Sequence, residues 1–135
     1  MISVSKRVEY SVEFLAYLSQ NTDKVVSLSE VSGNLRLPYR FLGQVAIGLR
    51  RGGIIEGKEG KNGGYVLAKN WQKKSMYDLL EALGENKGLV ECLGNKSACI
   101  RAGSCYLRDI WQRVEEGIFR DLKKIKLDEI QKKNN

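Results

Sequence analysis

The fold is decided by one stretch, SLSEVSGNLRLPYRFLGQVAIGLRRGGIIEGKEGKNGGYVLA, at residues 27–68. Within it, Ser27 precedes Glu30 by three positions, which is the arrangement of a helix capping box. The hydroxyl and the carboxylate of such a pair can satisfy the free amides at the start of a helix. We therefore expect a helix from about Leu28 to Leu35, with its apolar residues facing inward.

A second short helix is predicted directly after it, from about Pro38 to Arg51. Proline suits a first helical turn because its missing amide is not needed there. The apolar positions of this helix are Leu42, Val45 and Leu49. The positions left to face outward are Tyr39, Arg40, Gln44 and Arg51. Two short helices joined by a tight turn indicate a helix-turn-helix.

A two-stranded hairpin, here called the wing, is predicted after the second helix. Gly52-Gly53 ends that helix. We expect a short strand at Ile54 and Ile55, a glycine- and lysine-rich turn from Glu56 to Gly64, and a returning strand from Tyr65 to Leu67. Together these elements predict a winged helix-turn-helix.

Three further helices complete the prediction, at about Ser5–Gln20, Ser75–Leu83 and Cys105–Lys126. The last helix carries an apolar stripe at three- and four-residue steps, formed by Leu107, Trp111, Val114, Ile118, Leu122 and Ile125. A second copy of the same helix is the expected cover, which predicts a dimerisation helix. The alternative is that the stripe folds back on its own domain.

The predicted fold class is therefore mainly α with a small β-hairpin wing, in which a winged helix-turn-helix head is joined to a long dimerisation helix. Three segments are expected: a DNA-binding domain at residues 1–84, a cysteine-containing loop at 85–104, and the dimerisation helix with a frayed tail at 105–135. The frayed part is expected at Gln131 to Asn135.

Positive charge is concentrated in the helix-turn-helix and the wing. Residues 30–74 hold nine basic and three acidic side chains, and so carry six of the seven net positive charges of the chain. A basic patch of this kind suits a polyanion such as DNA. The candidate DNA-binding residues are Tyr39, Arg40, Gln44, Arg50, Arg51, Lys58 and Lys61. Arg and Gln can each bond a base with two hydrogen bonds, although some winged helices are purely protein-binding modules.

Several classes of protein are disfavoured by the composition. The sequence shows no signal peptide and no apolar run of transmembrane length, which predicts a cytoplasmic protein with no membrane partner. It contains no histidine, which removes histidine general-base catalysis. No nucleotide-binding glycine loop or catalytic dyad is visible, so we expect no enzyme.

Three cysteines lie in one 14-residue window, with the spacing Cys92-x6-Cys99-x5-Cys105. An odd number of cysteines is not a disulfide framework. The spacing lets three thiolates converge on one centre, and thiolates are the usual ligands of iron–sulfur clusters. Three alternatives remain open: buried apolar cysteines, a zinc site that lacks a fourth cysteine or histidine, and a thiol redox switch.

The order of these parts resembles the winged-helix iron–sulfur-cluster transcriptional regulators of the IscR, NsrR and RirA type. The similarity covers Ser5 to about Glu129. The matching segments are Ser5-Lys6 with Tyr10, Leu28–Val31, Phe41–Gln44, Leu49–Gly53, the wing Gly60–Ala68, the three cysteines, and Trp111. The resemblance implies a homodimer on a palindromic double-stranded operator, usually a repressor, whose affinity follows the state of a 2Fe–2S or 4Fe–4S cluster.

The resemblance also implies a fourth ligand beside Cys92, Cys99 and Cys105. One branch of the family uses a histidine three residues after the last cysteine, where this chain has Arg108. Another uses a carboxylate near the start of the first helix, donated by the partner subunit, and Glu9 matches that position. Glu13 and Glu91 are alternatives, and Glu9 could instead be an ordinary solvated residue.

Two positions depart from the family pattern. Glu59 stands where many relatives carry a wing arginine, and Gly43 where some carry a glutamate, so no relative's operator is transferred. The remaining alternative is a cluster-free winged-helix regulator that is switched by cysteine thiol oxidation or by a partner protein.

Overall fold

The computed structural model describes residues 4–86 and 106–133. Helices and one hairpin make up the described chain. In order they are α1 (Lys6–Gln20), α2 (Leu28–Leu35), α3 (Tyr39–Arg51), β1 (Ile55–Lys58), β2 (Gly64–Leu67), a 3-10 turn (Trp71–Lys73), α4 (Met76–Ala82), α5 (Tyr106–Lys124) and α6 (Asp128–Lys133). The predicted class, mainly helical with a two-stranded hairpin, is confirmed.

Side-chain caps fix the starts of the first two helices. The Ser5 hydroxyl accepts the Val8 amide at 3.3 Å, and the Ser27 hydroxyl accepts the Glu30 amide at 3.1 Å. The predicted capping box at Ser27 forms only in this half. The Glu30 carboxylate instead accepts hydrogen bonds from the Tyr17 hydroxyl at 2.6 Å and the Lys24 ammonium at 2.7 Å. The Lys24 and Tyr17 donors lower the pKa of Glu30, and the Tyr17 hydrogen bond ties α2 to α1.

The turn of the helix-turn-helix is built from Arg36 to Pro38. Arg36 ends α2 in the left-handed conformation, with φ at 56°. Pro38 is extended, with ψ at 124°, so α3 begins at Tyr39 and the prediction that Pro38 would be its first residue was wrong by one position. A β-like ψ places proline just outside the helix, where it acts as the N-cap residue.

One core holds the head together. It is built from α1, α2, α3, the first strand and α4, and its fully buried large side chains include Phe14, Leu15, Leu42, Leu49, Ile54 and Leu79. Leu42, Val45 and Leu49 face this core as predicted. The inward face of α3 therefore fixes which of its residues point to solvent.

Two glycines let α3 approach α4 closely. A Cβ added at Gly48 would lie 2.9 Å from the backbone oxygen of Ala82, and one added at Gly52 would lie 2.6 Å from the Ala82 Cβ. Neither distance leaves room for a methyl group. The two helices therefore pack with a glycine at each contact.

The wing is an antiparallel pair in which Ile55 stands opposite Leu67 and Lys58 opposite Gly64. Its first strand is longer than predicted and its turn shorter, because pairing extends from Ile55 to Lys58. Val26 adds a bridge to the outer side of the second strand through two hydrogen bonds with Tyr65. A Cβ added at Gly64 would overlap the backbone oxygen of Val26, so this close approach requires glycine.

The C-terminal segment returns to the head. α5 ends at Lys124 rather than at Lys126, and Ile125 lies in a connection outside the helix. The Met76 amide donates to the Ile125 carbonyl at 2.8 Å, and the Leu127 amide donates to the Lys74 carbonyl at 2.8 Å. Leu127 is fully buried in the core, and the frayed tail predicted from Gln131 was wrong in part, because α6 continues to Lys133.

The contact between α4 and α5 is aromatic. The rings of Tyr77 and Phe119 meet edge to face with centroids 5.2 Å apart, and the Lys123 ammonium lies 4.6 Å from the Tyr77 centroid. After α4, the Glu85 amide donates to the Leu80 carbonyl and the Asn86 side chain donates to the Tyr77 hydroxyl. The residues on both sides of the gap in the described chain are thus attached to this helix pair.

Candidate nucleic-acid interface and ligand residues

Helix α3 presents an exposed face with positive charge. All the residues proposed on it from sequence, namely Tyr39, Arg40, Gln44, Arg50 and Arg51, are exposed. The helix contains no acidic residue, and Tyr39 at its start is 55% exposed. Such a helix fits the major groove, where arginine and glutamine can bond base edges.

The outward residues of α3 divide into two groups. Tyr39, Arg40 and Arg50 are exposed outside the cleft that lies between α3 and α4. Gln44 and Arg51 line a cleft of about 400 Å³ between α3 and α4, together with Arg7 and Lys74. Arg7 donates to the Leu83 carbonyl at 3.1 Å and so stays at the edge of this cleft. Gln44 and Arg51 are therefore exposed on the side of the outward face that borders α4.

Arg50 connects the helix to the wing. A Cβ added at Gly57 would stand 3.6 Å from Cζ of Arg50, so the guanidinium lies against the first strand. Lys58 ends that strand and Lys61 occupies the turn, and both are exposed. Lys58 lies 4.0 Å from Glu56, but an ion pair in which both side chains are more than half exposed holds the lysine only weakly. Both lysines can therefore reach a phosphate.

Sequence reasoning missed two exposed residues near this face. Ile47 on α3 is 61% exposed, and Arg36 in the turn before α3 is exposed too. Ile47 has the signal that could have identified it, because it falls opposite the buried positions of a 3.6-residue period. Arg36 has no such signal, since its position depends on the left-handed turn.

The cysteine segment falls outside the described residues. Cys92, Cys99 and Cys105, together with Glu91, belong to residues 87–105, so their predicted convergence stays a prediction. Across residues 4–86 and 106–133 there is no group of three or more cysteine, aspartate or glutamate side chains that could hold a metal ion. A metal centre of the predicted kind would need ligands from the cysteine segment.

Glu9, the predicted fourth ligand, is described and accessible. It lies in the first turn of α1 with 47% of its side chain exposed. Its carboxylate accepts a hydrogen bond from Lys6 at 3.0 Å, which raises the pKa of that lysine. Since Lys6 is itself 70% exposed, the pair can open to admit another ligand.

The first half of α5 carries an exposed apolar face. The side chains that form it are Tyr106, Leu107, Ile110, Trp111 and Val114, with exposures from 38% to 88%. The second half packs on α4 through Phe119, so the alternative of folding back on its own domain holds for that half only. No helix in the described part of the chain is both long and apolar enough to cross a membrane.

Comparisons with known proteins cover nearly the whole chain. The sequence model of the Rrf2 family, described as an iron-dependent transcriptional regulator, matches residues 4–133. The transcriptional regulator NsrR of Shouchella clausii is 30% identical over 111 residues, which are 81% of this chain and 74% of that protein.

Two solved structures share the fold. IscR of T. potens superposes with a TM-score of 0.73 at 23% identity, covering 98% of this chain and 88% of that one. CymR, titled the global cysteine regulator of B. subtilis, gives 0.70 at 22% identity, with 95% of each chain covered. These likenesses confirm the predicted winged-helix fold.

Proposed function

The chain belongs to the Rrf2 family of transcriptional regulators, which are not enzymes, and on this premise we propose that it is a homodimeric, cytoplasmic repressor whose affinity for DNA follows an iron–sulfur cluster. The ligands proposed for the cluster are Cys92, Cys99, Cys105 and Glu9 of the partner subunit. The target genes proposed are those for iron handling, cluster assembly, or redox and nitrosative stress.

The observation that carries DNA binding is the face of α3. It is exposed, contains arginines and no acidic residue, and is continuous with Lys58 and Lys61 on the wing. Base edges are read from the major groove, while the wing and Arg50 are suited to phosphates, which position a protein without reading sequence. This division assigns base reading to the outward face of α3, and orientation to Arg50 and the wing.

The dimer is supported by the apolar face of α5. Exposed aromatic and aliphatic side chains in a row are rare on a monomer and are ordinary at an interface between identical chains. A two-fold axis through this helix would give the dimer two copies of α3, and two such helices call for two half-sites, as in a palindromic operator.

The donor set fits an iron–sulfur cluster. Three thiolates suit cluster iron, and Glu9 is exposed on the surface of α1, where a partner subunit could approach it. When bound, the cluster would supply a redox- and ligand-sensitive centre. The contribution of this chain would be to hold that centre with the three thiolates and the Glu9 carboxylate.

The alternative is a cluster-free regulator that is switched by thiol oxidation or by a partner protein. CymR, titled a global cysteine regulator, shares the fold nearly as closely as IscR does, with TM-scores of 0.70 and 0.73. The fold therefore does not distinguish the two kinds of signal. The three closely spaced cysteines favour the cluster.

The deciding experiment is anaerobic purification of the full chain, with a visible absorption spectrum and counts of iron and sulfide per chain. We expect a coloured protein that loses its iron in Cys99→Ala, and DNA binding that changes when the cluster is removed. A colourless wild-type protein would refute the cluster. Disulfide-dependent binding would then select the thiol switch.

A matched pair of variants tests the fourth ligand. Glu9→Ala should shift the absorption spectrum or speed the decay of the cluster in air, whereas Glu13→Ala, one turn further along α1, should leave both unchanged. A Glu9→Ala protein with the spectrum and decay rate of the wild type would remove Glu9 from the ligand set, and a shift in Glu13→Ala alone would select Glu13.

A further inference from the structure

An apolar side chain stands at the centre of the exposed face of α3. Ile47 is 61% exposed, although isoleucine is among the residues most often buried. At 100° per residue it points away from the mean direction of Val45 and Leu49, which are buried in the core. Packing within this chain therefore does not explain the residue at this position.

The position one turn earlier has no side chain. A Cβ added at Gly43 would meet nothing within 4 Å, so neither the backbone nor a neighbouring residue requires glycine there. A helix interior without such a requirement is normally less stable with glycine than with alanine. Gly43 leaves open space beside Ile47 on the outward face.

The charges around Ile47 indicate what covers it. Arg40 lies two turns before it and Arg50 lies about one turn after it, and both are exposed. Because α3 has no acidic residue, its face complements a polyanion better than it complements a protein of mixed charge. An apolar group set between arginines can enter the major groove of DNA, where the apolar group on offer is the C5-methyl of thymine.

We propose that Ile47 is a specificity-determining residue that contacts the methyl group of thymine, with Gly43 giving the base edge room to approach. The inference rests on the proposed function in one respect, that α3 enters the major groove. It goes further in assigning part of the sequence preference to an apolar contact in addition to the hydrogen bonds of Arg40 and Gln44.

The test replaces thymine by uracil, which removes the methyl group alone. A preferred duplex is first selected from a random pool with the full chain purified anaerobically, and each thymine is then exchanged singly. For the wild type we expect one or two positions at which uracil weakens binding by about fourfold, the effect of removing one methyl group from an apolar contact.

The same duplexes are then measured with two variants. Ile47→Ala should bind the thymine and uracil duplexes equally at those positions. Arg50→Ala serves as the matched control: it should weaken binding to both duplexes by the same factor and keep their ratio. Because Ile47 is exposed and alanine favours helix, we expect the variant to keep the circular dichroism spectrum of the wild type.

Three results would overturn the inference. The first is a wild-type protein that binds thymine and uracil equally at every position. The second is an Ile47→Ala protein that keeps the discrimination, including one that has lost dimerisation instead, since Ile47 would then be a contact between copies. The third is the absence of any selected duplex, which would refute the proposed DNA binding as well.

Discussion

The contact between α3 and α4 gives a prediction in which a second substitution restores the stability that a first one removes. In Gly52→Ala the new methyl carbon would lie 2.6 Å from the Cβ of Ala82. The backbone accepts alanine, because φ at Gly52 is −77°. Overpacking costs about 1–3 kcal/mol of stability. Part of this cost is offset because alanine lowers the conformational entropy of the unfolded chain. We therefore expect the free energy of unfolding to fall by about 1–2 kcal/mol.

The second variant removes the clashing atom. Ala82→Gly leaves the Ala82 Cα as the nearest part of that residue, at 3.5 Å from the added methyl carbon, which is ordinary contact. Alone it should cost up to about 1 kcal/mol, because glycine at the end of α4 is a weaker helix former. The double variant should be no less stable than Ala82→Gly, which corresponds to a coupling energy of about 1–2 kcal/mol.

Gly48→Ala provides the control. Its methyl carbon would meet the backbone oxygen of Ala82 at 2.9 Å, an atom that Ala82→Gly leaves in place. That pair should therefore show no rescue. Urea unfolding followed by far-ultraviolet circular dichroism, at one fixed protomer concentration, measures all five variants. The described packing would be refuted if the losses of stability of Gly52→Ala and Ala82→Gly simply added in their double variant. It would also be refuted if Ala82→Gly restored stability equally to Gly48→Ala.

Three further predictions concern stability. Leu127→Ala should lower the free energy of unfolding by about 2–5 kcal/mol, because it removes a fully buried side chain; an unchanged urea midpoint would show that the C-terminal segment does not pack on the head. Arg36→Gly should stabilise the fold by about 0.5–1 kcal/mol, because glycine adopts the left-handed conformation of this residue without strain. It should also weaken DNA binding in an anisotropy titration, because it removes an exposed positive charge. A loss of stability would contradict the left-handed conformation of Arg36. Hydrogen bonds from Lys24 and Tyr17 hold the pKa of Glu30 below its ordinary value. The ionised Glu30 carboxylate therefore stabilises the fold fully above its ordinary pKa, and this stabilisation is lost as the pH falls through the lowered pKa of the folded state. Glu30→Gln should therefore cost more stability at about pH 7 than at about pH 3, and an equal cost at both would remove the charge effect.

Local patterns in the sequence predicted the head well. The bounds of α2 are those expected from Ser27 and the apolar spacing, because a side-chain cap and one turn of helix involve neighbouring residues only. Pro38 was misplaced by one position because proline is compatible with both sides of a helix start. The Glu30 carboxylate instead accepts from Tyr17 of α1 and from Lys24 in the connection after α1, because donors outside α2 compete with a local cap.

Long-range contacts could not be predicted in the same way. The bridge between Ser75 and Lys126 joins residues far apart in the chain, and no local period marks it. Amphipathic spacing therefore extended α5 through Ile125, beyond its observed end at Lys124. Ile47 was overlooked for another reason: the helical period places it on the outward face, but only polar side chains were considered as candidates there.

The attachment of the chain on both sides of residues 87–105 has an evolutionary consequence. Asn86 is bonded to α4, and α5 is held against α4 through Phe119, so neither anchor depends on what lies between them. Lengthening a connection between fixed ends is inexpensive, at about 0.6 kcal/mol for each doubling. Insertions, deletions and exchanged ligands can therefore accumulate there without breaking the contact between α4 and α5. Related genes can diverge in the signal they detect while inheriting the same head.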